Sequence, residues 1–322
     1  MNQKIKGPVF DIPAELLQAY TMNGLARVGV DWFYGDSSGE VLNWPAALYE
    51  DMKDVVKRAS KDRGNIYYET DYLLPDAFAR HSVSGQTVAV IGSATPLYEA
   101  YIENYGGRPL TVEYRPIEHD IKGLLTYTFE EAMEKVKDGS LKADHAFCYS
   151  SIEHSGLGRY GDFLDPEGDL VTMDLVKNMV KPGGLFFLQI PVGADALLWN
   201  ATRIYGPARL LLLLAGWELV DTFGYQPQLL DRGFGTVSES IFVLRNAPSG
   251  DSLRALFSNS QVESFREMEA DRSIWQKKLK ELSAGFPYQK TDQPRVRYSP
   301  PDRRLLKRVK NRLKKIARRA LG

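Results

Sequence analysis

Between Gly85 and Asn246, short apolar runs alternate with segments of helical spacing, and this alternation restricts the fold more than any other feature of the chain. The runs expected to be strands are 87–93, 110–115, 124–128, 145–151, 185–192, 218–225 and 238–246. The segments expected to be helices are 96–107, 129–139, 164–184 and 206–217. Strands that alternate with helices predict an α/β fold with a parallel sheet.

The last two expected strands need a separate interpretation. Only residues 226–237 lie between them, and this stretch contains Pro227, Gly233 and Gly235. A parallel crossover needs about a dozen residues, usually as a helix, and this linker is a poor helix. The sequence therefore predicts a doubly wound, mostly parallel seven-stranded sheet whose last strand is antiparallel.

Four segments are expected along the chain. Residues 1–84 form a helical N-terminal extension or lid, with helices at 13–20 and 45–60 and no clear strand. Residues 85–246 form the α/β domain. Residues 247–301 hold a helical segment, 251–285, and a proline-punctuated linker, and residues 302–322 form a basic amphipathic helix.

Several classes of protein are excluded. Cys148 is the single cysteine, so no internal disulfide forms. The longest apolar run, 210–215, is far shorter than the roughly 20 residues that span a bilayer. Pro8 and Asp11 interrupt any signal-peptide core. We expect a cytoplasmic protein.

The net charge of zero hides a division between the body and the end of the chain. Residues 302–322 contain ten basic residues and one acid, so the other 301 residues carry a net charge of −9. The apolar residues of this tail share one helical face, which is typical of a helix that binds an anionic membrane surface from the cytoplasmic side. The alternatives are docking on the acidic body or on a second subunit of a homo-oligomer. Nucleic acid is not expected, because the body is acidic and the tail lacks aromatics.

The turn after the first expected strand is the first candidate site. Gly92 and Ser93 lie between a strand and a helix, where backbone N–H groups face a bound ligand. Glu113, 21 residues beyond Gly92, ends the second strand and is placed to hold a ribose diol. A pyrophosphate needs a close approach of the backbone, which a turn with a single glycine does not favour. An adenosyl sulfonium has no phosphate and can therefore bind beside such a turn. The alternative is a tight turn with an exposed glutamate.

The segment 150–169, after the fourth expected strand, is the second candidate site because ligands bind at such strand ends. We expect His154 to be a general base, with Glu153 or Asp162 orienting it. Further expected ligand contacts are Ser151 to the cofactor and Arg159 and Asp165 to the substrate. The alternative is a helix-capping loop. No ligand spacing indicates a metal site.

The third candidate site follows the fifth strand. Asn200, Arg203 and Tyr205 are expected to contact a polar substrate. The alternative, equally weighted, is a structural loop anchored by Arg203 and acidic partners.

Four segments together resemble an uncharacterised family, number 268 of the domains of unknown function, which is related to class I S-adenosylmethionine-dependent methyltransferases. They are GSATPLYEAYIENYGG, SSIEHSGLGRYGDFLDPEGD, KPGGLFFLQIPVGADALLWNATRIYG and IFVLRN. The resemblance covers about residues 85–246. It implies the seven-stranded methyltransferase sheet, with Gly92 and Glu113 on the adenosyl ligand and the Glu153–His154 pair near the transferred methyl group. That pair also resembles the small-molecule O-methyltransferases of the ubiquinone type.

The chain departs from the family at Thr202, where a histidine is usual, and in its glycine-poor turn. The resemblance and the candidate sites lead us to expect methyl transfer from S-adenosylmethionine to a hydroxyl of a sugar or surface-glycan precursor. The alternative is an inactive methyltransferase-like scaffold that binds a glycan or protein partner. A glycosyltransferase is disfavoured because no Asp-x-Asp motif is present.

Overall fold

The structure is a computed structural model that describes residues 5–29, 41–62, 71–231, 237–248 and 252–261. Its α-helices are α1 (Ala14–Tyr20), α2 (Ala46–Asp62), α3 (Leu74–Arg80), α4 (Leu97–Asn104), α5 (Phe129–Lys137), α6 (Gly168–Met179) and α7 (Pro207–Leu214). The strands are β1 (Arg27–Gly29), β2 (Leu42–Trp44), β3 (Thr87–Ile91), β4 (Arg108–Glu113), β5 (Ile117–His119), β6 (Leu125–Thr128), β7 (His145–Tyr149), β8 (Leu185–Val192), β9 (Ala196–Leu198), β10 (Thr202–Ile204), β11 (Glu218–Phe223) and β12 (Ser238–Arg245).

Seven strands form the main sheet, in the order β11-β12-β8-β7-β3-β4-β6. The β3, β4 and β6 strands are parallel to one another, whereas β12 runs antiparallel to both β8 and β11. The predicted fold class is therefore confirmed, including the antiparallel last strand. This is the class I methyltransferase-like sheet, in which ligands bind at the carboxyl ends of the parallel strands.

The described residues fall into two compact units. The first unit comprises 41–62 and 71–147. In it, β2 pairs in parallel with β5, and Trp44 at the end of β2 is buried. The indole Nε1 of Trp44 donates a hydrogen bond to the carbonyl of Ala94, 3.3 Å away, which ties β2 to the turn after β3.

The second unit comprises 5–29 and the described residues from Cys148 onward. A small sheet in the order β1-β9-β10 lies in this unit. Tyr20 of α1 packs edge-on against Trp199, with ring centroids 5.1 Å apart. Both rings belong to an apolar cluster with Leu157, Leu164 and Leu197. The N-terminal residues thus share a core with the loop that follows β7.

Two expectations about the elements are corrected. Residues 1–84 contain strands, namely β1 and β2, which at three residues each are too short to show alternation. The helix expected at 164–184 is confined to α6. Its start is delayed because the carbonyls of Asp165 and Pro166 accept hydrogen bonds from the side chain of Arg203.

Part of the C-terminal region lies outside the described residues. Most of the expected helix at 251–285 and all of the tail at 302–322 fall there, so both stay predictions, as do the four expected segments. Within the described ranges, no helix is both long and apolar enough to cross a membrane.

Candidate functional site

The turn after β3 is fixed by backbone hydrogen bonds and one carboxylate. Gly92 adopts a φ of 74°, which favours glycine, and its N–H donates to the carbonyl of Val112 at 2.8 Å. The next N–H, that of Ser93, donates to Oε2 of Glu113 at 2.9 Å. The first two N–H groups of the turn are therefore engaged within the protein, which suits a ligand without phosphate at this position.

The sequence analysis missed Glu99, which lies beneath this turn. Its carboxylate accepts hydrogen bonds from the hydroxyls of Ser93, at 2.9 Å, and Thr111, at 2.7 Å. Glu99 is fully buried, and this burial raises the pKa of its carboxyl to about 7. In the sequence, Glu99 is noticeable only as a glutamate among the apolar residues of α4. Its hydrogen bonds hold the turn in place.

Glu113 ends β4 as expected. Burial raises the pKa of its carboxyl, and the nearby charge of Arg115 opposes this rise. The Nε of Arg115 lies 3.6 Å from Oε1 of Glu113. Each carboxylate oxygen has two lone pairs, so Glu113 retains acceptor capacity beside its contact to Ser93. This arrangement suits the ribose hydroxyls of an adenosyl group.

The loop after β7 is built on close backbone contacts between glycines. A Cβ on Gly156 would lie 2.2 Å from the carbonyl oxygen of Asp165, and one on Gly7 would lie 2.3 Å from Cα of Gly158. The N–H of Gly7 donates to the carbonyl of Asp162 at 2.9 Å. The glycines of this loop thus allow the N-terminal segment to lie directly against it.

Asp162 and Asp165 both accept hydrogen bonds from backbone N–H groups of this loop. Asp162 accepts from Gly158 at 3.1 Å and Tyr160 at 3.2 Å, and Asp165 accepts from Glu167 at 2.9 Å. These contacts hold the backbone of the loop, and no side chain caps the start of α6. The catalytic and substrate roles of the two aspartates stay predictions.

The guanidinium of Arg203 is buried and surrounded by backbone carbonyls. It donates to Ser155 at 2.6 Å and to Asp165 and Pro166, each at 3.2 Å, and it reaches Glu153 at 3.4 Å. These four acceptors belong to the loop after β7. The geometry favours the structural alternative for Arg203, since its donors hold the loop.

Tyr205 is also fully buried, and its hydroxyl donates to Oδ2 of Asp169 at 3.1 Å. The same carboxylate pairs with Arg209, whose Nε lies 3.0 Å from Oδ2. The sequence analysis missed this buried ion pair because its partners lie 40 residues apart. Tyr205 therefore contributes to a structural network, and its predicted substrate contact is not tested.

The other residues that were predicted to contact a ligand differ in their exposure to solvent. Asn200 is fully buried, whereas Arg159 and Ser151 are half-buried. The guanidinium of Arg159 donates to the carbonyl of Ala201 at 3.2 Å and lies over the ring of Tyr160. Ser151 precedes the short helix 152–154, without a side-chain capping bond.

His154 has a defined tautomer. Its Nδ1 lies 2.6 Å from the carbonyl oxygen of Ala201, which can only accept, so Nδ1 carries the hydrogen. Burial, reinforced by the charge of Arg159, lowers the pKa of His154 to about 3. A neutral imidazole with so low a pKa is a weak proton acceptor.

Glu153 has the opposite properties. Its side chain is 1% exposed, and burial raises the pKa of its carboxyl to about 7. Oε1 accepts from the hydroxyl of Ser150 at 2.7 Å and lies 3.6 Å from Nε2 of His154. Oε2 is buried and has no hydrogen-bond donor within the described residues. A carboxyl with a pKa near neutrality and an unused oxygen is suited to accept a proton.

Ser150, which positions Glu153, was missed by the sequence analysis. It directly follows β7 and has a φ of 51°, in the left-handed region that non-glycine residues rarely adopt. This conformation allows its hydroxyl to reach Glu153 while its N–H donates to the carbonyl of Gln189 at 3.3 Å. Nothing in the sequence indicated this backbone conformation.

Residues 85–230 match the family described as "Caenorhabditis protein of unknown function, DUF268". The resemblance predicted from the four segments is confirmed. Among curated proteins, no relative matches the chain.

The similar solved structures include several methyltransferases. One, from Archaeoglobus fulgidus, is 14% identical over 59% of this chain and 99% of its own, with a TM-score of 0.38. A second, the 1,6-didemethyltoxoflavin-N1-methyltransferase of Burkholderia thailandensis with bound S-adenosylhomocysteine, is 15% identical over 77% of this chain and 97% of its own, with a TM-score of 0.40. The N-methyltransferase NodS of Bradyrhizobium japonicum is 11% identical over 62% and 97%, with a TM-score of 0.35.

Proposed function

We propose that this chain is an S-adenosylmethionine-dependent methyltransferase that methylates a hydroxyl of a sugar or surface-glycan precursor, with Glu153 as the general base. The observation that carries the proposal is the state of Glu153. This carboxyl is buried at the end of β7, its pKa is raised to about 7, and its Oε2 has no donor within the described residues.

In this proposal the cofactor contacts come from the turn after β3 and the end of β4. The carboxylate of Glu113 accepts the ribose hydroxyls, and the turn at Gly92 and Ser93 supports the adenosyl group. S-adenosylmethionine, when bound, supplies a methyl group on a sulfonium that leaves as a neutral thioether. The geometry of the turn supports this assignment because Glu113 is already fixed by the N–H of Ser93.

The residues that follow β7 supply the acceptor contacts. The acceptor oxygen would take the methyl group, the bonding pair of the broken C–S bond would stay on sulfur, and the hydroxyl proton would pass to Oε2 of Glu153. His154, fixed by its hydrogen bond to Ala201, lines the same position as a neutral side chain. Base catalysis of this kind contributes about 10²–10⁴ in rate.

The experiment that tests the function is calorimetry with S-adenosylmethionine and S-adenosylhomocysteine. We expect both to bind the wild type and Glu113→Gln to bind at least tenfold more weakly. Glu118→Gln, a substitution of an exposed acid on β5, is the matched control and should bind as the wild type does. If neither ligand binds at millimolar concentration, the inactive scaffold replaces the enzyme.

We also propose that residues 302–322 bind an anionic membrane surface. Their ten basic residues and single apolar helical face support this partner. Binding there would bring the enzyme to lipid-linked glycan precursors on the cytoplasmic face.

A further inference from the structure

Gln189, Glu239 and Glu153 form a polar cluster in the second unit, in which Gln189 and Glu153 are buried and Glu239 is half-buried. Gln189 interrupts the apolar run of β8, and Ile241 is its partner on β12. Glu239 lies two residues before Ile241, so its side chain is on the same face as that of Gln189. The Nε2 of Gln189 donates a hydrogen bond to Oε2 of Glu239, which orients the amide.

Ser150 connects this pair to Glu153. Its N–H donates to the backbone carbonyl of Gln189, and its hydroxyl donates to Oε1 of Glu153. Glu153 also acts on Glu239 through charge, since burial and then the carboxylate of Glu153 raise the pKa of Glu239 to about 8. The three side chains therefore share one environment beside the end of β7 and the middle of β8.

Two acceptor atoms of the cluster have no donor. Oε1 of Gln189 and Oε2 of Glu153 are both buried, and neither receives a hydrogen bond within the described part of the chain. Gln189 and Glu153 are each 1% exposed. A buried acceptor without a donor costs free energy of folding, and such atoms are rare in protein interiors. A ligand that satisfies both atoms must bring two donors.

The charge of the cluster restricts that ligand. With carboxyl pKa values of about 7 and about 8, Glu153 and Glu239 together hold between one and two protons at neutral pH, so the pair keeps part of one negative charge. The cluster is thus negative and rich in acceptors, which disfavours a phosphate or carboxylate. Two neighbouring hydroxyl groups supply two donors without adding negative charge.

We propose that Glu153, Gln189 and Glu239 bind the acceptor through a vicinal diol, with one hydroxyl on Oε2 of Glu153 and its neighbour on Oε1 of Gln189. Glu239 is a positioning residue that keeps the amide oxygen of Gln189 turned toward the second hydroxyl. Diol binding does not depend on the proposed function. Only the assignment of methylation to the hydroxyl on Glu153 rests on it.

Diol binding is tested by ligand-observed NMR with the full chain and no cofactor. The probes are a panel of methyl pyranosides, each compared with its monodeoxy analogues, together with matched amino sugars. We expect at least one pyranoside to bind the wild type and to lose at least tenfold in affinity when either hydroxyl of one vicinal pair is removed. This comparison uses wild-type protein and does not depend on a variant that folds.

A variant series assigns the atoms. Gln189→Met should bind the diol and one monodeoxy probe with equal affinity. Glu239→Leu should bind the diol more weakly than the wild type does, while its affinity for that monodeoxy probe is unchanged. Glu218→Gln, in an ion pair with Arg245 at the far end of β12, is the control and should match the wild type.

Three results would overturn the diol assignment: no pyranoside binds, the monodeoxy probes bind as well as the diols, or the amino sugars bind in preference. Because the cofactor is absent, each result is independent of whether S-adenosylmethionine binds. A protein that binds diols but not the cofactor would remove the proposed function and leave the diol site.

Discussion

The Nδ1 atom of His154 lies 2.6 Å from the carbonyl oxygen of Ala201. This bond holds the ring in the neutral tautomer with its hydrogen on Nδ1. Burial of the ring, reinforced by the charge of Arg159, lowers the pKa of His154 to about 3, and the bond to Ala201 opposes this shift only in part. The adjacent Glu153 has its pKa raised to about 7. Of two neighbouring candidates for the base, the carboxylate is therefore the one that can take up a proton near neutral pH.

The first prediction concerns the pH dependence of methyl transfer. A base must be deprotonated to act, so kcat/KM should rise with pH through about 7, the pKa of Glu153, and then level off. A rise centred far below neutrality would instead implicate His154. Glu153→Gln should lower kcat by about 10²-fold or more while cofactor affinity is unchanged. Glu167→Gln, an exposed acid of the same loop, is the control.

The second prediction concerns stability. The pKa of Glu153 is raised from 4.5 in the unfolded chain to about 7 in the folded protein, so the folded state keeps its proton over that range. The contribution of Glu153 to stability is therefore fully present below pH 4.5 and is lost as pH rises through 7, by up to ~3 kcal/mol at ~1.4 kcal/mol per unit.

Glu153→Gln removes this ionisation and keeps the oxygen that accepts from Ser150. The variant should be more stable than the wild type at pH 8 and nearly equal to it at pH 5. Urea unfolding at both pH values measures the difference. A variant that is less stable at pH 8 would show that the carboxylate is stabilised in the fold, contrary to its raised pKa.

The sequence predicted the seven-stranded sheet because its strands are long, apolar and separated by helical segments. The Gly92 turn and Glu113 were also predictable, since both occupy fixed positions in one strand–helix–strand unit. The roles of individual polar residues were not. For Arg203 the sequence left a ligand role and a structural role equally weighted, and only the folded loop shows that backbone carbonyls of residues 37–50 positions away surround it.

Other parts of the candidate site had weaker signals. Gln189 was visible as one polar residue in an apolar strand, but its partner Glu239 comes from β12, and pairing register cannot be read from either strand alone. The left-handed backbone of Ser150 had no signal at all. The segments that form the candidate site could therefore be predicted from the sequence. The role of each side chain depends on tertiary contacts and could not.

The third prediction tests the structural role of Arg203. Arg203→Met should lower the free energy of unfolding by about 3 kcal/mol, because several buried carbonyls lose charged donors at once. Arg203→Lys should recover little, since an ammonium cannot reproduce the guanidinium fork. Urea unfolding provides the measurement. If Arg203→Met is as stable as the wild type and loses only substrate affinity, Arg203 binds the substrate and does not hold the loop.

The fourth prediction concerns the N-terminal segment and the loop after β7. A Cβ on Gly7 would lie 2.3 Å from Cα of Gly158, so Gly7→Ala must push the segment from the loop. We expect faster hydrogen exchange at the N–H of Leu164, which donates to Ile5 at 2.8 Å, and loss of turnover with normal cofactor affinity. Protection of that N–H equal to wild type would mean that the contact does not order the loop.

The last prediction concerns the basic tail. Each Lys or Arg near anionic headgroups contributes up to ~1 kcal/mol, so ten of them on one helix should give firm binding that weakens with salt. The full chain should co-sediment with vesicles rich in phosphatidylserine and much less with neutral vesicles. Removal of residues 302–322 should abolish the difference while leaving the calorimetric cofactor affinity unchanged.

The control that separates charge from apolar contact keeps the ten basic residues and replaces Leu306, Leu313 and Ile316 by serine. If the helix lies in the interface with its apolar face in the acyl boundary, this variant should lose most vesicle binding at physiological salt. If it binds as tightly as the wild type, the tail is only an electrostatic tether. Equal pelleting of the full-length and truncated chains on anionic vesicles would exclude the tail as an anchor, and salt-dependent self-association of the full chain alone would assign it to a second subunit instead.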